Sequence, residues 1–198
     1  MKLSKTSLII PSYNSRKLLE DCVASIRSHT DTDYEIIVVD NGSTDGTDVY
    51  CRKERITLLS LPWTYSLASA GNMGLKLSSG DNLLLLMPDV RVSHRWLADM
   101  LECLYSENDI GIVRPAIETT MGASAAEDRH EEQANDACML LRRVLLSNIG
   151  YLQKSRLHGE HVFDEYAARA EKAGYRIMYA GNVGISRTMN EIVEGYTK

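Results

Sequence analysis

The sequence predicts an α/β fold, a mostly parallel central sheet flanked by helices, and three observations carry that expectation. Apolar runs rich in β-branched residues alternate with stretches whose apolar residues recur at helical spacing. Strands separated by helices on this rhythm pair in parallel through right-handed crossovers. With 198 residues, 44% hydrophobic, 25% charged and only four prolines, the chain has the length and composition of one globular domain that needs no staple.

The first strand is Ser7 to Ile10, ended by Pro11-Ser12-Tyr13-Asn14. From Arg16 to His29, Leu18, Leu19, Cys22, Val23 and Ile26 form the apolar stripe of a helix. Glu35 to Asp40 is a second strand, whose run Ile36-Ile37-Val38-Val39 suits a sheet covered on both faces. The loop Asn41-Gly42-Ser43-Thr44-Asp45-Gly46 follows, then a short helix toward Arg52, a strand from Ile56 to Leu61, a helix from Leu67 to Leu77 and a strand from Asp81 to Met87. Trp96, Leu97, Met100, Leu101 and Leu104 mark the core face of another helix. The segment 118–136 holds six carboxylates and one Arg without apolar periodicity, and reads as a mobile acidic loop, either a solvated connection or a lid over a substrate. An apolar pattern resumes from Ala137 to Leu146. A helix from Ala167 to Ala173 closes at Gly174, a strand runs from Tyr175 to Ala180, and 182–198 reads as a strand end plus a terminal helix.

Charge and cysteines narrow the function. Lys and Arg number 22 against 27 Asp and Glu, a net charge of −5, and the cations are scattered, so nucleic acid is not the expected partner. Four separated cysteines without a CxxC pair read as buried small hydrophobes of a reducing compartment. The N-terminal apolar run stops at Pro11, too short for a signal peptide, and Leu83-Leu84-Leu85-Leu86-Met87 is far too short to span a bilayer. A cytoplasmic protein with no transmembrane segment is expected; homo-oligomerisation is left open.

Ligands of open α/β sheets bind outside the carboxyl ends of the strands. Three such ends carry unusual polar groups here: Pro11-Ser12-Tyr13-Asn14, Asp40-Asn41-Gly42-Ser43 and Pro88-Asp89. Each alone is an ordinary turn. Together, two carboxylates on one rim beside a glycine-containing loop are what a nucleotide with a metal-bound diphosphate needs. Trp63, Tyr65 and Trp96 are candidates to stack on a sugar or base, or are simply packing.

The runs Ser7-Leu8-Ile9-Ile10-Pro11-Ser12-Tyr13-Asn14 and Glu35-Ile36-Ile37-Val38-Val39-Asp40-Asn41-Gly42-Ser43-Thr44-Asp45-Gly46-Thr47 closely resemble the opening of the family 2 glycosyltransferases, which have the GT-A fold. The resemblance continues through Ala70-Gly71-Asn72-Met73-Gly74, Ser79-Gly80-Asp81 and Leu83 to Asp89, and faintly through Met139 to Arg143 and Gly159-Glu160. It implies a single domain, with a nucleotide-binding half over about 1–92 and an acceptor half over about 93–198. It implies inverting transfer of a sugar from a nucleotide-sugar donor to a hydroxyl of a sugar, lipid-linked or protein acceptor, in polysaccharide or glycoconjugate synthesis. Pro11, Ser12, Tyr13, Asn14, Asp40, Gly42, Asn72, Asp89 and Arg91 are then the donor-binding candidates, with Asp40 on the base and Asp89 on a Mg²⁺ or Mn²⁺ ion that neutralises the leaving diphosphate.

The sequence departs from the family pattern in four places. Asp-x-Asp becomes Asp89-Val90-Arg91; residues two apart on an extended segment face one side, so Arg91 either lies beside Asp89 and meets the diphosphate, weakening the need for metal, or points into solvent. The Glu-Asp pair that supplies the general base becomes Glu160-His161, which leaves Glu160, His161, Asp164 and Glu165 as base candidates; Asp164 and Glu165 also suit a helix's first turn. An Arg that often precedes the Asn of the Asn-x-Gly element is Gly71. A late-strand His finds only Ser186 and Arg187. These losses keep open a non-catalytic GT-A-like domain that binds nucleotide or a partner. A nucleotidyltransferase would want a Gly-rich, basic loop after the first strand, which Pro11-Ser12-Tyr13-Asn14 is not.

Overall fold

The computed structural model describes residues 5–115, 137–153, 162–181 and 183–188. The elements run β1 (Thr6–Ser12), α1 (Arg16–His29), β2 (Tyr34–Asp40), α2 (Thr47–Lys53), β3 (Thr57–Ser60), α3 (Leu67–Leu77), β4 (Asn82–Leu86), β5 (Val90–Val92), α4 (Trp96–Leu104), β6 (Ile110–Pro115), β7 (Cys138–Arg142), α5 (Val144–Asn148), α6 (Val162–Lys172), β8 (Arg176–Ala180) and β9 (Ile185–Arg187). Seven strands form one sheet in the order β3-β2-β1-β4-β7-β6-β8, parallel except for β7, which runs against both neighbours. A two-stranded ribbon of β5 and β9 stands apart.

Side-chain alternation on the central strands divides the core in two. Leu8, Ile10, Val38, Leu84 and Leu86 face α1 and α4; Ile9, Val39, Leu83 and Leu85 face α3 and α6. Helix α1 has the expected bounds because its buried residues Leu19, Cys22, Val23 and Ile26 are the predicted stripe. Pro11 lies within β1, beyond the last pair with β4, Ile9 with Leu85, where its missing N–H interrupts no bond to that strand. Cys22, Cys51 and Cys138 are buried, as expected, and Cys103 is half-buried.

The acceptor half differs more from expectation. Strand β6 was not anticipated, because Gly111 and Pro115 are poor strand formers; a Cβ on Gly111 would stand 2.9 Å from the Tyr175 side chain, so the glycine permits a close approach. Helix α6 begins at Val162, not Ala167, since Phe163, Tyr166, Ala167 and Ala170 form a buried stripe with Asp164 and Glu165 in its first turn. Gly174 does follow with φ +88°, the left-handed conformation expected of a helix-ending glycine. The acidic segment 118–136 and the terminal helix expected after 188 lie outside the described residues.

At the opposite edge from the strand ends that matter for function, Glu35 holds the sheet to the turn before β4. Its carboxylate accepts hydrogen bonds from Ser7 Oγ (2.6 Å), Ser79 N (2.8 Å), Ser79 Oγ (2.8 Å) and Lys5 Nζ (2.9 Å). Burial raises its pKa, but these donors outweigh burial and hold it at about 2, below an ordinary 4.5. A depressed folded-state pKa gives stability that is present above the unfolded value and is lost as pH falls through the folded one. Glu35→Gln is expected to lower stability near neutral pH by about 2 kcal/mol and to flatten the acid limb between pH 4.5 and 2. Thermal melts of both proteins across that range check this; parallel acid limbs would refute it.

Candidate active site

The chain runs β1, β2, β3 outward on one side of β1 and returns to β4 on the other, so the sheet's switch point lies between β1 and β4. The carboxyl ends of β1, β2, β4 and β6 share one rim. Buried polar atoms without a hydrogen-bond partner occur there: Ser12 Oγ, Asp89 Oδ1, and Nε and Nη2 of Arg114. An unpaired buried polar group costs about 1–3 kcal/mol, a cost that a ligand or a water at this rim would offset; Thr6 Oγ1, Thr32 Oγ1 and Arg142 Nε are likewise unpaired away from the rim.

On the β2 side, Asp40 is buried and its Oδ1 accepts from Ser43 N at 3.0 Å. The loops after β1 and β2 are tied together. Asn14, at φ +45°, accepts at Oδ1 from Thr44 N (2.8 Å), and its own N–H donates to Ser43 Oγ (2.9 Å). Asp45 accepts from Arg16 N (2.8 Å), Thr47 N (3.1 Å) and Thr47 Oγ1 (2.6 Å), so one carboxylate closes the first turns of both α1 and α2. Burial pushes the Asp45 carboxyl up, but the Thr47 hydroxyl and the backbone N–H groups of Arg16, Thr47 and Asp45 itself outweigh it and hold it below its ordinary range. Gly42, at φ +85°, admits the following segment: a Cβ there would stand 3.1 Å from the Trp63 backbone. One hollow of about 510 Å³, lined in part by Asn14, Arg16 and Asp45, adjoins these loops.

Asp89 lies in the turn after β4, closed by Val90 N donating to Met87 O at 3.2 Å. Of the two readings of Arg91, the structure has the outward one. The segment is extended only from Val90 to Val92, whose valines are buried, so Arg91 faces outward and pairs with Asp21 at 2.5 Å. The arginine beside Asp89 is Arg187 of β9, which donates from Nε and Nη2 to Asp89 Oδ2, both at 2.8 Å. The ladder of β5 with β9, Val90 opposite Arg187, delivers it. Nothing local to either residue signals this pair, 98 positions apart.

Asn72 spends both ends of its amide on one backbone: Nδ2 donates to Leu152 O (2.8 Å) and Oδ1 accepts from Leu152 N (2.9 Å). A Cβ on Gly71 would meet Leu152 Cδ1 at 2.9 Å, so the residue missing the family's Arg is where this segment docks. Of the base candidates, Glu160 and His161 lie outside the described residues. Asp164 pairs through Oδ1 with Nη1 of Arg114 at 2.5 Å; the guanidinium is 3% exposed and the carboxylate 37%. Trp96 is fully buried and donates from Nε1 to Thr30 Oγ1, so it packs the core.

Residues 7–190 match the model of Glycosyl transferase family 2. The chain belongs to that family. Glycosyltransferase AglE of Haloferax volcanii is 27% identical over 200 residues, covering 89% of this chain and 64% of AglE. Glycosyltransferase GlyG of Streptococcus pneumoniae is 32% identical over 106 residues, covering 51% of this chain and 34% of GlyG. Among solved structures, the mannosyltransferase PcManGT from Pyrobaculum calidifontis, in complex with GDP-Man and Mn²⁺, superposes with a TM-score of 0.78 at 20% identity, over 98% of this chain and 59% of that one. S. aureus TarS 1-349 with UDP-GlcNAc gives 0.76 at 20% identity, over 98% and 61%. The family 2 chain therefore has the GT-A fold and spans under two thirds of these relatives.

Asp89 offers this family 2 domain one buried, unspent carboxylate oxygen, which fits a hard divalent cation that draws its other ligands from diphosphate oxygens and water. Among the described residues no cluster of three His, Cys, Asp or Glu adds to it.

Proposed function

We propose that this domain transfers a sugar, with inversion, from a nucleotide-sugar donor to an acceptor hydroxyl in polysaccharide or glycoconjugate synthesis. The observation that carries the reading is a pair of unspent buried polar atoms on one rim at the switch point, Ser12 Oγ at the end of β1 and Asp89 Oδ1 in the turn after β4, with the buried Asp40 at the end of the neighbouring β2. Asp40 would hold the base, the loops tied by Asn14 and Ser43 would bound the nucleotide, and Asp89 would carry Mg²⁺ or Mn²⁺. A cation bound there would neutralise charge on the departing diphosphate.

Acceptor activation needs a general base in line with the hydroxyl and the anomeric carbon. Glu160, His161 and Asp164 are the candidates, and Asp164 is already engaged by Arg114. Arg187 places a fixed cation on the same carboxylate as the metal, so metal dependence should be partial: excess EDTA is expected to slow transfer without abolishing it. The relatives' names, including PcManGT with GDP-Man and TarS with UDP-GlcNAc, support a nucleotide-sugar donor.

A thermal-shift screen over UDP, GDP, dTDP and CDP, with and without Mn²⁺, tests the reading. Selective binding at 100 times Kd would add about 2.7 kcal/mol to stability, a rise of several degrees. No shift with any nucleotide would overturn donor binding.

A further inference from the structure

We propose that Trp63 is a stacking platform for the nucleobase of the donor, a residue role that rests on the nucleotide-binding reading above. Trp63 is 63% exposed, whereas the protein's other tryptophan, Trp96, is fully buried. An indole left in water forfeits its burial energy, so packing does not explain it. Its ring stacks on Tyr65 at 5.9 Å between centroids and 30° between planes, giving a two-ring apolar ledge.

Three contacts hold the backbone of the segment that carries the ledge against residues 40–42 at the end of β2. Leu61 N donates to Asp40 O at 2.8 Å, so the segment leaves β3 at the level of that carboxylate. Gly42, two residues past Asp40 and at φ +85°, leaves room for the Trp63 backbone, which a Cβ there would crowd at 3.1 Å. Asn41, fully buried, donates from Nδ2 to Tyr65 O (2.8 Å) and accepts at Oδ1 from Tyr65 N (2.9 Å). A buried amide spent on clamping an otherwise exposed segment fixes the two rings at little further entropic cost. A nucleobase presents a polar edge and an apolar face. Asp40 supplies an acceptor for the edge; the ledge supplies a partner for the face, and stacking of this kind tolerates any base.

Because Trp96 is shielded, Trp63 dominates the change in intrinsic fluorescence when a ligand arrives at the rim. Titration with UDP, GDP, CDP and dTDP in Mg²⁺ should quench the wild-type protein, while inorganic pyrophosphate and free monosaccharides should not. By calorimetry, Trp63→Ala should weaken the best nucleoside diphosphate about tenfold or more, and Trp63→Phe should largely retain it, with melting temperatures near wild type because the side chain is exposed. Equal affinity in Trp63→Ala, or equal quenching by pyrophosphate or sugar, would overturn the platform and leave nucleotide binding intact. Failure of every nucleoside diphosphate to bind wild type in calorimetry would overturn both.

Discussion

Asp89→Ala is expected to lower sugar transfer by about 100-fold or more, an effect on the scale of removing one preorganised electrostatic group from a transition state. The two oxygens of Asp89 do different things. Oδ2 is fixed by two bonds from Arg187, so the carboxylate cannot rotate; Oδ1 is buried and unspent, aimed by that same clamp. Alanine removes the aimed oxygen and the acceptor of two Arg187 hydrogen bonds together, and the latter loss should also cost about 1–3 kcal/mol of stability. Asp89→Asn keeps the shape and an oxygen while discarding the charge, so its kcat separates charge from geometry. The control is Asp21→Ala, which breaks the ion pair with Arg91, both partners about half exposed; it should stay within about 0.5 kcal/mol of wild type and keep full activity. Transfer rates and melting temperatures of the three variants measure these outcomes. Retention of half the activity by Asp89→Ala would remove it from the site.

Helices α1 and α3 were readable to the residue because a buried stripe at 3.6-residue spacing is a local property. The strands β1, β2 and β4 were readable for a similar reason: covered on both faces, they are continuous apolar runs. The placement of Asp40 and Asp89 on one rim followed from topology, since parallel strands put their carboxyl ends together. The sequence leaves Arg91 either beside Asp89 or in solvent, because alternation applies only to extended chain and Asp89 sits in a turn. Arg187 was invisible because β5 and β9 have three residues each and meet only through tertiary pairing. Asn72 carries a family signature that in this fold ties α3 to Leu152, 80 residues away. Ser79-Gly80, another signature, joins the hydrogen-bonded cluster around Glu35 and Ser7; a Cβ on Gly80 would stand 2.5 Å from Lys5 O. In both cases the motif marks where the backbone closes on itself.

Asp45→Ala is expected to destabilise the protein by about 2–3 kcal/mol, because it uncaps two helices at once. Ser15 stands at the N-cap position of α1, but its Oγ donates to Tyr13 O and gives the helix no side-chain cap. Gly46, before α2, has no side chain to offer. Asp45 serves both from one carboxylate, accepting from Arg16 N for α1 and from Thr47 N and Oγ1 for α2. Each cap is worth about 0.5–2 kcal/mol, and both dipoles favour a negative charge in that place. For a chain of this size the loss corresponds to a fall in Tm of about 4–12 °C. Its pH dependence follows from the depressed carboxyl: the contribution is present above the ordinary Asp range and disappears as pH falls below it, so wild type and Asp45→Ala should converge in acid. Asp48→Ala, which breaks only an exposed pair with Arg52 on α2, should change stability by about 0.5 kcal/mol or less. Because Asp45 joins the loop after β1 to the loop after β2, its loss should also raise KM for the donor more than it lowers kcat; a fall in kcat alone would mean that the joined loops do not shape the nucleotide's place.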